Sequence, residues 1–265
     1  MNKIEKIPDE MYFDSDGLSN SFLIEFDRSP AHAFRQREQT KGMKTGTLIH
    51  EYILSPEVFN EKYVIAPRDI PKDKRLSPYK EFAKNQTKEI LFQDDLEELE
   101  RIKHTIMKHG FEGFILEDYL LNSEKEVSLF WDIWMNDKPV QCKGKADALF
   151  FNKDNAIIFD LKKVQNCTEF NKSVNSYKYY RQANFYTTGL SILYPHLKNI
   201  RFIFITVEES YPYGVMTYEI DAEFMYQGEK ENYISVIKYL NWDGNKNQLY
   251  TNDTVILSKP AWLYA

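Results

Sequence analysis

Cysteine is scarce in this sequence, and long apolar runs are missing. Cys142 and Cys167 are its only cysteines, so they provide neither a C-x-x-C pair nor the disulfide framework typical of small secreted domains. No stretch approaches the ~20 apolar residues that a membrane-spanning helix requires. The sequence also shows no apolar h-region of a secretory signal peptide. We therefore expect a cytoplasmic protein without a membrane-spanning role.

Positive charge is also in short supply. The chain has 34 Lys and Arg residues against 40 Asp and Glu residues, which gives a formal net charge of −6. Proteins that bind polyanions draw much of their affinity from basic side chains. The basic residues of this chain are, however, concentrated at 28–44, 72–75 and 143–178. This distribution predicts a local positive groove on an acidic protein.

Length and hydrophobic pattern predict one α/β domain over 1–265. The 265 residues, 43% of them hydrophobic, can bury a large core. Helix signals occur at 19–27, 29–38, 44–55, 94–109, 168–192 and 222–240, and strand signals at 125–134, 138–150, 155–162, 201–208 and 214–220. Prolines and charges at 66–80 predict an exposed loop. We expect a mainly helical part over 1–110 and, over 111–265, a central mixed β-sheet flanked by helices.

Two acidic residues stand out in the predicted strands. "KADALF" places Asp147 in one strand, the turn "NKDN" follows, and "AIIFDLKK" places Asp160 and Lys162 in the next strand. The two strands should pair as a hairpin. Because side chains alternate across a strand, Asp160 and Lys162 share one face, and Phe159 and Leu161 point to the other. Ionised carboxylates among apolar neighbours are unfavourable unless a cation or hydrogen bonds compensate them, so the pattern predicts a divalent-cation site.

An Asp, a short spacer and Asp/Glu-x-Lys on consecutive strands resembles the core motif of the PD-(D/E)XK nuclease superfamily. The segment 46–67 resembles the helix that carries a metal-binding His in RecE-like and RecB-like exonucleases, and "YYRQANFY" at 179–186 matches their Q-x-x-x-Y helix. The segments 18–34 and 255–264 are similar to the entry and exit segments of RecE-type phage and prophage exonucleases. The resemblance covers nearly the whole chain and implies a restriction-endonuclease-like core.

The resemblance also implies a metal centre. By that likeness, Mg²⁺, or Mn²⁺ in its place, would be bound by Asp147, Asp160, the carbonyl of Leu161 and the imidazole of His50. The helical wheel alone favours a surface or capping role for His50, because this residue lies beside the apolar stripe of its helix; the resemblance reverses that preference. Glu126 is a further candidate ligand, since related exonucleases carry an acid in a similar E-x-S setting. An ordinary edge-strand charge is its alternative role.

Three further residues are candidates for the catalytic machinery. Lys162 would orient or help to deprotonate an attacking water and offset developing negative charge. Gln182 and Tyr186 stand four apart on the predicted helix at 168–192, so they share a face. Their amide and hydroxyl groups can hydrogen-bond a phosphate or the catalytic lysine. Because that helix is rich in aromatic residues, we expect Gln182 to be functional and Tyr186 to be partly structural.

Ser19, Ser21 and Arg28 are candidates for DNA binding. A hydroxyl group and a guanidinium group suit a terminal phosphate. In related 5′-to-3′ exonucleases, comparable early Ser and Arg residues face the 5′ end. Helix capping is the alternative role for the two serines.

The function implied by the resemblance is metal-assisted hydrolysis of phosphodiester bonds in DNA. We expect a DNA exonuclease that acts 5′-to-3′ on double-stranded ends in phage-type recombination. The likeness also implies a homo-oligomer and a RecT-like single-strand annealing protein as a partner. The alternatives are a RecB-like single-strand nuclease, a restriction-type endonuclease, and a catalytically inactive DNA-binding module of the same fold.

Overall fold

The computed structural model describes residues 2–35, 41–250, 254 and 256–257. The end of the predicted helix at 29–38 and most of the segment 255–264 lie outside these residues. The helices of the described part are α1 (Asp9–Asp14), α2 (Asn20–Arg28), α3 (Pro30–Phe34), α4 (Lys41–Leu54), α5 (Pro56–Lys62), α6 (Ser77–Lys84), α7 (Gln93–Met107), α8 (Leu116–Leu121), α9 (Phe170–Ser176), α10 (Tyr179–Leu193) and α11 (Ala222–Leu240). Its strands are β1 (Lys3–Glu5), β2 (Tyr63–Ile65), β3 (Glu89–Leu91), β4 (Gly110–Phe111), β5 (Phe114–Ile115), β6 (Glu124–Met135), β7 (Lys138–Asn152), β8 (Asn155–Val164), β9 (Asn199–Glu208) and β10 (Val215–Glu219). In this part of the chain, no helix is long and apolar enough to cross a lipid bilayer.

Six strands of the described region form one mixed sheet in the order β1-β6-β7-β8-β9-β10. β6, β7 and β8 form an antiparallel meander, and Asn152 pairs with Asn155 across the predicted turn. β8 and β9 run parallel and are joined by a crossover through α9 and α10, as parallel neighbours require. β1, from the predicted helical part of the chain, pairs with β6 at one edge, and β10 pairs with β9 at the other. The predicted hairpin and the predicted mixed sheet flanked by helices are both confirmed.

Helices cover both faces of the sheet. On the α10 face, α2, α10 and α11 pack over a core that includes Leu129 and Phe204. On the α4 face, α4, α7 and α8 pack over Phe159 and Leu161. Ile158 belongs to the first core, so side chains alternate along β8 as the sequence predicts.

The predicted helix at 168–192 is two helices in the structure. α9 ends at Ser176 and α10 begins at Tyr179, and Lys178 between them has a φ of 55°. A residue in this left-handed conformation cannot continue a right-handed helix. The break is held from outside the segment, since the amine of Lys178 lies 2.9 Å from the carboxylate of Glu231 in α11. Glycine usually marks such a position, so the sequence carries no local signal for the break.

The exposed loop predicted at 66–80 ends earlier than expected. α6 begins at Ser77, and Pro78 lies in its first turn, where the missing N–H has no helical partner to lose. β2 and β3 flank this region and pair in parallel as a separate two-stranded sheet. Strands of three residues show too little alternation to be recognised from the sequence.

Candidate active site

Two acidic side chains face each other in the middle of the sheet. In β6 and β7, Glu126 and Asp147 both lie between the paired positions Lys125–Ala148 and Val127–Ala146. Glu126 has a φ of 54°, a left-handed conformation that is uncommon for a residue with a Cβ atom. Ala146 packs on the α10 face and Ala148 on the α4 face, although regular alternation would give both the same face. The strand pair is therefore distorted here, and both carboxylates line one cleft.

His50 approaches these carboxylates from α4. Its Nδ1 lies 3.4 Å from Oδ2 of Asp147, and its Nε2 lies 2.7 Å from the carbonyl oxygen of Leu161. A carbonyl oxygen only accepts hydrogen bonds, so Nε2–H is the donor, and Nδ1 is the ring nitrogen left to bind a metal ion. Metal-binding histidines are usually oriented by such a bond from their other ring nitrogen. Ligand atoms of His50, Glu126 and Asp147 all lie within 4.8 Å of one another.

This donor set fits a divalent cation. An imidazole nitrogen and two carboxylates converge, and two carboxylates this close to each other repel unless a cation compensates them. The pKa of Asp147 is raised to about 7, chiefly because the carboxyl group is buried; the carboxylates of Asp160 and Glu126 act in the same direction, and His50 opposes them. Mixed nitrogen and oxygen ligands suit Mn²⁺ and are compatible with Mg²⁺. These are therefore the residues that would hold such an ion.

Asp160 lies beside this group and contacts other partners. Its buried side chain accepts a hydrogen bond of 2.6 Å at Oδ2 from Nε2 of Gln182, and its Oδ1 contacts the amine of Lys162. That amine also lies 4.9 Å from the ring centre of Tyr179. Burial alone would lower the pKa of Lys162, but the carboxylates of Asp160 and Asp147 outweigh it and hold that pKa above its ordinary value. The amine is thus a fixed positive charge beside the two acids.

The structure brings three of the five predicted metal ligands together, namely His50, Glu126 and Asp147. The other two, Asp160 and Leu161, make different contacts. The carbonyl of Leu161 accepts the bond from His50, and its N–H donates a bond of 2.8 Å to Oδ2 of Asp147. Leu161 thereby orients two of the converging side chains. Asp160 is paired with the amine of Lys162. Metal ligation by Asp160 and by the Leu161 carbonyl stays a prediction.

Gln182 and Tyr186 lie on the face of α10 that meets the sheet, as their spacing predicts. Gln182 holds the carboxylate of Asp160. The hydroxyl of Tyr186 accepts a hydrogen bond of 3.3 Å from the backbone N–H of Lys145, and its ring packs on Gly144, where an added Cβ atom would lie 2.9 Å from the ring. Burial raises the pKa of Tyr186 to about 12, so the hydroxyl stays protonated. Gln182 thus orients an acid of the site and Tyr186 packs beside it, while their catalytic roles stay predictions.

Comparison with known proteins places the sequence in a family. Residues 19–247 match the profile of the family described as PDDEXK-like domain of unknown function (DUF3799). The chain belongs to this family. The predicted relation to the PD-(D/E)XK superfamily is confirmed, and the membership supports a nuclease of that superfamily. No curated protein matches the PDDEXK-like chain.

Solved structures resemble the PDDEXK-like chain in fold. A protein from Eubacterium rectale that is provisionally named an exonuclease superposes with a TM-score of 0.65 at 12% identity, over 97% of this chain and 96% of its own. At this identity the likeness shows the fold alone, and it agrees with the mixed sheet described above. The structure of SSO0001 matches with a TM-score of 0.30 at 19% identity, over 74% of this chain and 88% of its own. That second likeness is too weak to carry an argument.

The candidate DNA-binding residues of the PDDEXK-like chain do not form one cluster. Ser19 caps α2 by accepting a hydrogen bond of 3.2 Å from the backbone N–H of Phe22, and its hydroxyl lies 3.2 Å from that of Ser21. Arg28 ends the same helix and donates a bond of 3.1 Å from Nε to the hydroxyl of Tyr250. A helix of this length separates its ends by roughly 13 Å. The capping role of Ser19 is thus observed, and DNA binding by the three residues stays a prediction.

Sequence reasoning missed two residues of the PDDEXK-like site. A cleft of about 840 Å³ opens in front of His50, Glu126 and Asp147, and Lys145 and Asp9 also line it. Nζ of Lys145 lies 2.9 Å from Oε2 of Glu126 and also contacts the carboxylate of Asp9. Lys145 stands two residues before Asp147 on one strand, a spacing that could have identified it. Nothing in the local sequence marks Asp9.

Proposed function

We propose that this protein is a metal-dependent deoxyribonuclease, and specifically an exonuclease that acts on double-stranded DNA ends. The observation that carries the proposal is the convergence of His50, Glu126 and Asp147 beside the ion pair of Asp160 and Lys162. Membership of a PDDEXK-like family supports the same chemistry.

Each residue of the site has a part in phosphodiester hydrolysis. A divalent ion held by His50, Glu126 and Asp147 would polarise the phosphate and lower the pKa of the attacking water. Lys162, kept positively charged by its neighbouring carboxylates, would stabilise the negative charge that develops on the phosphate oxygens. A lysine that stays protonated cannot abstract a proton, so its charge favours electrostatic stabilisation as its role. Gln182 would hold the carboxylate that fixes the lysine in place.

The finer parts of the proposal rest on the sequence resemblance. The segments 18–34 and 255–264 are similar to the entry and exit segments of RecE-type enzymes, which favours 5′-to-3′ digestion of duplex ends in phage-type recombination. The provisional name of the Eubacterium rectale protein is consistent with an exonuclease. A homo-oligomer, a RecT-like partner and a cytoplasmic location belong to the same proposal.

Digestion of end-labelled DNA tests the function. Purified protein with Mg²⁺ or Mn²⁺ is given 5′-phosphorylated duplex, single-stranded DNA and closed circular duplex. We expect the linear duplex to be degraded from its ends and the closed circle to stay intact. Lys162→Met should abolish cleavage, whereas Lys163→Met, its matched control, should leave cleavage largely unchanged because Lys163 pairs with Glu209 away from the acids.

The other outcomes distinguish the alternatives. Cleavage of the closed circle would indicate a restriction-type endonuclease, and preference for single strands would indicate a RecB-like enzyme. If none of the substrates were cleaved by protein that binds Mn²⁺ and DNA, the catalytic proposal would be rejected in favour of a binding module.

A further inference from the structure

We infer that Lys145 and Asp9 regulate the affinity of the proposed metal site, with Lys145 as a resident cation on Glu126 and Asp9 as the carboxylate that retains the amine when a metal binds. The inference rests on the proposed function, because it concerns the same metal site. It adds two residues and the N-terminal segment 2–16 to that site.

The amine of Lys145 lies between two carboxylates. It is 2.9 Å from Oε2 of Glu126 and also contacts Oδ1 of Asp9. Among the residues that the structure describes, these are the acidic groups within ion-pair distance of the amine. The side chains of Lys145 and Glu126 are 17% and 21% exposed, respectively, so solvent screens their interaction only in part. Lys145 therefore occupies one of the carboxylates that a metal ion would need.

Asp9 is held at the cleft by the rest of its segment. β1 pairs with β6, and Nζ of Lys143 donates hydrogen bonds of 2.9 Å to the carbonyl of Tyr12 and 2.6 Å to that of Ser15, at the end of α1. Lys6 and Glu57 of α5 also line this cleft, and the amine of Lys6 lies 3.1 Å from the carboxylate of Glu57. The segment precedes the matched family region at 19–247. It thus lies outside the residues that match the family profile, and it places one carboxylate next to the site.

The amine of Lys145 and a metal ion compete for Glu126 because both are positively charged. A lysine amine and a divalent cation cannot both lie close to one carboxylate without repelling each other. Because Lys145 already contacts Asp9, the amine can leave Glu126 and remain paired. Asp9 therefore favours the metal-bound form, and the contact between Lys145 and Glu126 favours the metal-free form.

Calorimetric titration with Mn²⁺ alone, without DNA, tests the inference. We expect Asp9→Asn to raise the Kd for Mn²⁺ and Lys145→Met to lower it. Each change should be roughly threefold to tenfold, as for other partly buried charge pairs. In the Lys145→Met background, Asp9→Asn should change the Kd by less than about twofold, because residues that act through one contact are not additive. Lys145→Gln replaces Lys145→Met if the latter does not fold.

Glu10→Gln is the matched control, since Glu10 also lines the cleft and the substitution removes the same charge. It should shift the Kd by less than about twofold. Equal effects of Asp9→Asn and Glu10→Gln, or an Asp9 effect that persists without Lys145, would overturn the inference alone. His50→Ala should abolish Mn²⁺ binding. If wild-type protein binds no Mn²⁺, or if His50→Ala binds Mn²⁺ as well as the wild type does, the proposed function and this inference both fail.

Discussion

Asp147→Asn should stabilise the metal-free protein while removing its metal site. Asp147 is half-buried on β7, between β6 and β8, and its carboxyl pKa is raised to about 7 from an ordinary value of 3.8. In the unfolded chain the group ionises near its ordinary pKa, so between these two values the folded state binds more protons than the unfolded state. The free energy of unfolding of the wild type therefore falls as pH rises from about 4 to 7. Asparagine keeps an oxygen that can accept the N–H of Leu161 and carries no charge.

The magnitude follows from the shift. A difference of about three pKa units corresponds to roughly 4 kcal/mol at a pH above 7, where the carboxylate is fully charged. Part of that difference is reduced by relaxation and solvent, so we expect the variant to exceed the wild type by roughly 2–4 kcal/mol at pH 8. The advantage should shrink toward pH 5, because the wild-type carboxyl is then protonated in the folded state.

Urea denaturation in EDTA, followed by tryptophan fluorescence from pH 5 to 8.5, measures this difference. Added Mn²⁺ should stabilise the wild type, since a ligand that binds only the folded state raises the free energy of unfolding, and should leave the variant unchanged. Asp154→Asn serves as the control, because the carboxyl of Asp154 pairs with Lys198, which holds its pKa below the ordinary value. The reasoning is refuted if Asp147→Asn is no more stable than the wild type at pH 8, or if its advantage is independent of pH.

Three other substitutions test separate contacts. Lys162→Met should lower single-turnover cleavage by at least about 100-fold with little loss of calorimetric Mn²⁺ affinity; lost metal binding would assign the lysine a structural role. Gln182→Ala leaves Oδ2 of Asp160 buried without its 2.6 Å donor, so unfolding in urea should show a loss of ~1–3 kcal/mol and cleavage should slow; an unchanged protein would argue against an orienting role. Gly144→Ala places a Cβ atom 2.9 Å from the ring of Tyr186 and should destabilise the protein by ~1–3 kcal/mol, seen as a lower Tm; an unchanged Tm would mean that the ring can move aside.

Much of the fold could be predicted because its long elements carry a clear period. β6, β7 and β8 agree with their predicted bounds to within a few residues, since each alternates or runs apolar over much of its length. Elements without such a period escaped prediction. β1, β2 and β3 have three residues each, and the break at Lys178 depends on a partner in another helix.

For the candidate site, too, some features could be predicted from the sequence and others could not. Spacing along one element predicts which side chains share a face. Asp160 and Lys162 are two positions apart on a strand, and Gln182 and Tyr186 are four positions apart on a helix. The left-handed backbone of Glu126 could not be predicted, because glutamate has no preference for that conformation. The structure shows this local distortion, which places its carboxylate in the cleft with Asp147.

By itself, the sequence determined the residue types of the site and the strands and helices that carry them, because these depend on neighbours within a few positions. Only the tertiary structure decided which atoms meet. His50 reaches the carbonyl of Leu161 from 111 positions away, and Asp9 reaches Lys145 from 136 positions away. Such contacts are fixed by the packing of whole helices and strands on one another, and no local pattern of residues specifies that packing.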